Sequence, residues 1–194
     1  MLGQLFADRG GAARVGYEGR YAFGRRGRRR PPVRVASSEV SERIVMALVG
    51  EYEPSPSEWV RDQVEEYESS GGTRGNTLRD SGIPIVIFTT RGPRTGKIRK
   101  TPVMRVEYDG SYALVASKGG APDNPQWYYN LVANPHDVEL QDGPAPFPVE
   151  VRQLSGDEYE EWWERAVAVF SPYAEYKTKT SRQIPVFLAS RKMS

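Results

Sequence analysis

The chain has no cysteine, which excludes disulfides, thiolate nucleophiles and cysteine-ligated zinc. It has one histidine, His136, set between Pro135 and Asp137, where it reads as a solvated turn residue. That scarcity removes histidine-rich metal sites and the Ser-His-Asp triad from consideration, and no metal is expected. Apolar runs are short. None approaches the ~18 residues of a membrane-spanning helix, and there is no secretory apolar segment, so a cytoplasmic compartment is the expectation.

What is present is unevenly spread. The net charge of +2 over 194 residues hides nine arginines in residues 1–36 against only Asp8 and Glu18, so the remainder is acidic. Residues 1–45 carry no lysine and no apolar periodicity, and Arg25-Arg-Gly-Arg-Arg-Arg30 runs into Pro31-Pro32. Such a segment cannot bury enough apolar surface to order itself and is expected to be a disordered Arg/Gly-rich tail. It reads as a solvated tail, or as sequence upstream of a native start at Met46; an arm for nucleic acid or anionic lipid is the rival reading. Residues 46–194 are long enough for one domain with a full core.

Within that domain the pattern is mostly β. Ser57 to Ser69 predicts a helix with Trp59, Val60, Gln63, Val64 and Tyr67 on one face, broken by Gly71-Gly-Thr-Arg-Gly75. Ile83 to Thr90 is a continuous β-branched run, the mark of a buried strand. Arg99 to Tyr108 alternates, turns at Asp109-Gly110 and returns through Tyr112 to Ser117, a strong hairpin signal. Asn124-Pro125 opens a second helix that ends near Asn134-Pro135. Val138 to Gln141 and Phe147 to Leu154 are further strands. Ser155-Gly-Asp-Glu158 reads as a capping box opening a third helix to about Phe170, and Ile184 to Ala189 is the last strand. About six strands and three helices, joined by hairpins without βαβ alternation, predict an α+β, mainly β fold: a small antiparallel barrel with peripheral helices.

Chemistry concentrates between Thr89 and Pro135. Arg91, Arg94, Lys97, Arg99 and Lys100 crowd five cations around Gly92 and Gly96, whose N–H groups can approach an anion, with the Thr95 hydroxyl beside them. This is not a P-loop, because Ile98 follows Gly96-Lys97; the competing reading is a solvated hairpin. Ser117-Lys-Gly-Gly-Ala121 follows a strand and offers amide groups and a hydroxyl to a carbonyl-rich ring edge, or is a plain glycine turn. Trp127, Tyr128 and Leu131 have the spacing of core residues, yet directly follow that turn, where a flat ring can stack. Tyr173 and Tyr176 fall on a turn after Pro172, either lining a substrate pocket as proton donors or packing half-buried.

These residues resemble a known family. Thr90-Arg-Gly-Pro-Arg-Thr-Gly-Lys97, Arg99-Lys-Thr-Pro102, Ala116-Ser-Lys-Gly-Gly-Ala-Pro122, Pro125-Gln-Trp-Tyr128, Asn130-Leu131, Asn134-Pro135, Pro172-Tyr-Ala-Glu-Tyr176 and Ile184-Pro-Val186 are similar, in order and spacing, to the deazaflavin-dependent nitroreductase family. The similarity runs from about Met46 to Arg191. It implies a split β-barrel that binds reduced coenzyme F420, a deazaflavin with a phosphate and an oligoglutamate tail, and passes hydride to a quinone or nitroaromatic acceptor. By motif, Arg94, Thr95, Lys97, Arg99, Thr101 and Pro102 would hold the phosphate and tail. Ser117, Lys118, Gly119, Gly120 and Ala121 would border the ring, with Trp127 and Asn130 nearby. Tyr173 and Tyr176 would line the acceptor side, and with Ser117 they are the catalytic candidates. Phe170 stands where the nitroreductase member has a tyrosine, which favours quinones over nitroimidazoles. Asn124 or Tyr129 stands where relatives often carry histidine.

The resemblance thus implies a cytoplasmic oxidoreductase, monomer or homodimer, with small-molecule partners and no nucleic acid. The protein would act as a positioning scaffold for a cofactor that carries the hydride. Family members with amphipathic N-terminal helices associate with lipid; this tail lacks such a face, and contact with a membrane surface stays open. Rival readings are an FMN or haem protein on the same barrel, a non-catalytic deazaflavin carrier, and a nucleic-acid-binding protein led by the arginine tail.

Overall fold

The computed structural model describes residues 48–192, so the expectations for residues 1–45 and for Met46 lie outside the described residues. Seven strands form one antiparallel sheet in the order β2-β1-β5-β6-β7-β4-β3. They are β1 (Ile85–Arg91), β2 (Ile98–Met104), β3 (Val106–Tyr108), β4 (Ser111–Val115), β5 (Val138–Gln141), β6 (Pro146–Gln153) and β7 (Val186–Arg191). The sheet curls until β2 approaches β4, giving a half-barrel. Four helices surround it: α1 (Glu58–Ser69), α2 (Gln126–Ala133), α3 (Gly156–Val169) and α4 (Pro172–Lys179).

The split barrel agrees with expectation; the element count differs for two reasons. The alternating run from Arg99 to Tyr108 breaks at Arg105, whose N–H bonds the Pro84 carbonyl at 2.9 Å. Its first part pairs with β1 and its second with β4, so one stretch of chain crosses from one edge of the sheet to the other and closes the curl. The turn carrying Tyr173 and Tyr176 is α4, with Pro172 in its first turn, where a proline's missing N–H costs nothing. Its polar sequence gave no 3.6-residue apolar pattern.

Packing follows the two-residue period of the strands. Val86, Phe88, Leu114, Leu140, Val149 and Phe187 face inward with Trp127 and Leu131 of α2 as the stopper. On the outside, Ile85 and Ile87 pack under Val64 and Tyr67 of α1. Val106, Val115, Val186 and Leu188 pack under Tyr159, Trp162, Trp163 and Ala166 of α3. Each such side chain, fully buried, contributes ~1.5–3 kcal/mol.

Three local readings are corrected. Trp59 is 40% exposed, with Arg79 stacked over its ring at 4.7 Å, and Gln63 turns inward instead to donate to the Gly75 and Thr77 carbonyls. Ser155 sits at the N-cap of α3 but makes no side-chain cap. Glu158, read as its capping-box partner, is engaged by Arg152, which reaches both carboxylate oxygens at 2.8 and 2.5 Å.

Candidate functional site

The basic hairpin joins β1 to β2. Its glycines close the turn on itself: Gly92 N–H donates to the Lys97 carbonyl at 2.8 Å and Gly96 N–H to the Gly92 carbonyl at 2.9 Å. Those two amides are therefore spent within the hairpin, which corrects the reading of them as an anion cradle. Arg91 is spent as well. It meets Asp137 at 2.5 Å and donates to the carbonyls of Gly96 and Val49. Lys100 lies on the α1 side of the sheet, bonded to Glu68 at 2.6 Å.

The remaining cations divide by face. Residues directly opposite across an antiparallel pair share a face. Arg99 is opposite Thr90 and Thr101 opposite Phe88, so both belong to the inner face; Pro102, opposite Ile87, lies on the α1 side. Asn130, buried on α2, donates from Nδ2 to the Thr90 hydroxyl at 3.2 Å. That bond ties the end of β1 to α2. Arg94 and Thr95 are exposed at the hairpin tip, and Arg94 has no ion-pair partner among the described residues.

Lys97 and Arg99 already hold carboxylates. The stretch Glu51–Glu53 runs parallel to the start of β2, with Ile98 N–H on the Glu51 carbonyl and Glu53 N–H on the Ile98 carbonyl, at 2.8 and 3.0 Å. Glu51 reaches Lys97 at 2.8 Å and Glu53 reaches Arg99 at 2.5 Å. The bond from Glu51 holds the Lys97 ammonium above its ordinary pKa. Two glutamates therefore neutralise two of the cations that the resemblance assigned to a deazaflavin's tail. The donor set fits that tail in charge and in ligand chemistry.

The second half of the site is the turn after β4. Gly120 N–H closes on the Ser117 carbonyl at 2.9 Å and Ala121 N–H on Lys118 at 3.2 Å, a tight turn with Lys118, Gly119 and Gly120 all left-handed. Gly120 is obligatory. A β-carbon there would lie 2.9 Å from Lys179 Cβ and 3.0 Å from the Tyr176 carbonyl oxygen, because α4 packs on the turn. Ser117 is buried, Ala121 half-buried, and Lys118 and Gly119 are exposed.

The aromatic residues fall into two groups. Trp127 is 7% exposed, edge-on to Phe88 at 5.5 Å and to Phe187 at 6.2 Å, so it is core and supports the site from behind. Tyr173 and Tyr176 are 6.1 Å apart on α4 with Phe170 beside both. Tyr173 is only 5% exposed, packed against Trp163, and burial raises its pKa far above that of a free phenol. It stays a neutral phenol at any physiological pH. Tyr176 is half-buried, and its backbone lies against Gly120 of the turn.

A sequence profile of the F420H(2)-dependent quinone reductase family matches residues 59–191. The chain belongs to that family. It is 34% identical over 129 residues to an F420H(2)-dependent quinone reductase of Mycobacterium tuberculosis, covering 65% of this chain and 85% of the relative. Among solved structures, an F420-H2 dependent reductase (FDR-A) is 55% identical and covers 55% of this chain and 94% of its own, with TM-score 0.52. A structure described as a domain-swapped dimer is 51% identical and covers 70% of this chain and all of its own, with TM-score 0.54. Membership makes the protein an oxidoreductase with reduced F420 as its cofactor; the FMN and carrier alternatives find no support among these relatives.

Sequence reasoning missed four residues of this region. Glu51 and Glu53 carry no motif and matter only because their segment lies against the start of β2. Thr90 was read as the end of a buried strand. Arg182, on the link from α4 to β7, gave no local signal at all.

Proposed function

We propose that this protein moves a hydride from reduced coenzyme F420 to a quinone, with the β1–β2 hairpin, the Ser117–Ala121 turn and α4 as the binding surface. The observation that carries the reading is the pair of carboxylates from Glu51 and Glu53 resting on Lys97 and Arg99. Arg94, Thr95, Lys97 and Arg99 hold the phosphate and glutamate tail, with Thr101 and the backbone at Pro102 continuing that wall. The amides of Lys118 and Gly119 and the Ser117 hydroxyl border the ring edge, the Gly120 and Ala121 N–H groups being spent in closing the turn, with Trp127 and Asn130 fixing α2 behind it. When bound, the reduced deazaflavin supplies the hydride. The side chains need not attack anything: they orient the ring, neutralise its tail and exclude water. Tyr176 lines the acceptor side, and Tyr173 holds α4 against α3 while keeping its proton.

Both partners are small molecules, and no helix among the described residues is long and apolar enough to cross a membrane. A homodimer accords with the domain-swapped relative, and sedimentation measures it. The test of function is titration with F420 followed by reoxidation of the reduced cofactor on adding menadione. Micromolar binding with turnover supports the reading; binding without turnover of any quinone overturns it. A nitroaromatic acceptor in the same assay measures the second acceptor class, expected to be the poorer because Phe170 has no hydroxyl.

A further inference from the structure

Arg182 is half-buried between α4 and β7, and its guanidinium makes four hydrogen bonds with no carboxylate among them. Nε donates to the Ala121 carbonyl at 2.9 Å and Nη1 to Asn124 Oδ1 at 2.7 Å. Nη2 donates to the carbonyls of Ala116 and Ser117, at 3.1 and 2.9 Å. One planar fork therefore ties both ends of the turn to Asn124, two residues before α2. Only arginine has enough donors in one rigid plane to do this.

The consequence lies on the other side of the peptide planes. In a trans peptide the N–H points opposite to the C=O of the same unit. With the Ser117 carbonyl drawn onto Arg182 and Gly120, the Lys118 N–H is aimed away from the guanidinium, out of the turn. Lys118 has φ 47°, an uncommon angle for a residue with a side chain, followed by Gly119 at 67° and Gly120 at 79°. Such a run persists only where surroundings over-determine it. Arg182 supplies that constraint from below and α4 from the side. The cation behind the peptide planes also polarises them, which strengthens the outward N–H as a donor.

We infer that Arg182 is the positioning residue for the cofactor ring: it acts through the Ser117–Ala121 turn, presetting the outward amide and the Ser117 side chain for the ring edge. This rests on the placement of the ring at that turn proposed above. Arg182 itself touches neither cofactor nor acceptor.

The experiment compares Arg182→Ala, Arg182→Gln and Arg182→Lys with wild type for F420 affinity by fluorescence, melting temperature and quinone KM. Arg94→Ala and Arg99→Gln serve as tail controls and Gly120→Ala as the turn control. The expected result is a loss of F420 affinity of about tenfold or more in folded variants. Lysine should be nearly as poor as glutamine, since one ammonium cannot bridge four acceptors, and quinone KM at saturating cofactor should hold. Millimolar guanidinium should restore binding to Arg182→Ala but not to Arg182→Lys. Faster amide exchange at Lys118 and Gly119 in Arg182→Gln provides a readout independent of activity. Wild-type affinity in the folded Arg182 variants, with the controls weakened, overturns the inference and leaves the site standing. An equal rise in quinone KM overturns it too, as general loosening. Intact binding in Gly120→Ala and the tail controls as well would sink the site assignment itself.

Discussion

The carboxylate of Glu53 lies 2.5 Å from the guanidinium of Arg99, and both side chains are partly exposed. An acid from the segment preceding α1 thus neutralises a cation on the inner face of β2. The same holds for Glu51 and Lys97. A polyanionic ligand at this hairpin would find Lys97 and Arg99 already engaged, and its net gain from those two cations would be the difference between two sets of ion pairs.

That competition predicts a gain of function. Glu51→Gln with Glu53→Gln should tighten F420 binding by about two- to fivefold, the scale of exposed ion pairs, with the larger gain at low salt. Fluorescence titration at two ionic strengths measures it. Unchanged affinity would mean the tail does not use Lys97 and Arg99.

Cations within one hairpin should separate by role. Arg94→Ala should weaken F420 binding by about tenfold while leaving the melting temperature alone, because its side chain is exposed and has no partner among the described residues. Arg91→Ala should lower the melting temperature, since Arg91 ties the hairpin to Asp137, Gly96 and Val49. Thermal melts beside binding curves distinguish the two.

Gly120→Ala should cost about 1–3 kcal/mol of stability, through its left-handed φ of 79° and the close approach of Tyr176 and Lys179. It should also weaken F420 binding through displacement of the turn. Denaturant unfolding together with a binding curve tests this, and a variant as stable and tight as wild type contradicts the packing of α4 on the turn.

Alkaline pH should unfold the protein through buried phenols. Burial, then the hydrogen bond from its hydroxyl to Asp142, pushes Tyr112 up to about 12. A phenol raised in the fold contributes stability that is complete below its unfolded pKa near 10 and is lost as pH climbs through 12. Tyr112→Phe should therefore flatten the fall in stability between those values, as read from urea unfolding at stepped pH. Burial of Tyr159 adds to the same window, so part of the slope should remain.

Much of this protein is legible in its sequence, because hairpins and buried strands leave local signatures. Asp109-Gly110 between alternating runs could only be a tight turn, and both residues have positive φ. The unbroken β-branched run of β1 predicted burial on both faces, and all but Arg91 are buried. The glycine turn after β4 and the proline-led start of α2 are sequence facts too.

Tertiary structure decided the rest. Nothing local says that Lys100 belongs to Glu68 and Arg99 to Glu53, because that choice follows from which side of β2 each residue occupies and which segment lies there. Nor does it say that Tyr173 is buried while Tyr176 keeps surface, since that depends on where α3 meets α4. Arg182 has no meaning until the chain returns to β7 and brings its guanidinium beneath carbonyls more than sixty residues away. Local sequence fixes backbone dihedrals and the period of burial. Partners for charged and hydrogen-bonding groups are set by the packing of distant segments, and here that packing governs which cations, amides and tyrosines the site has to offer.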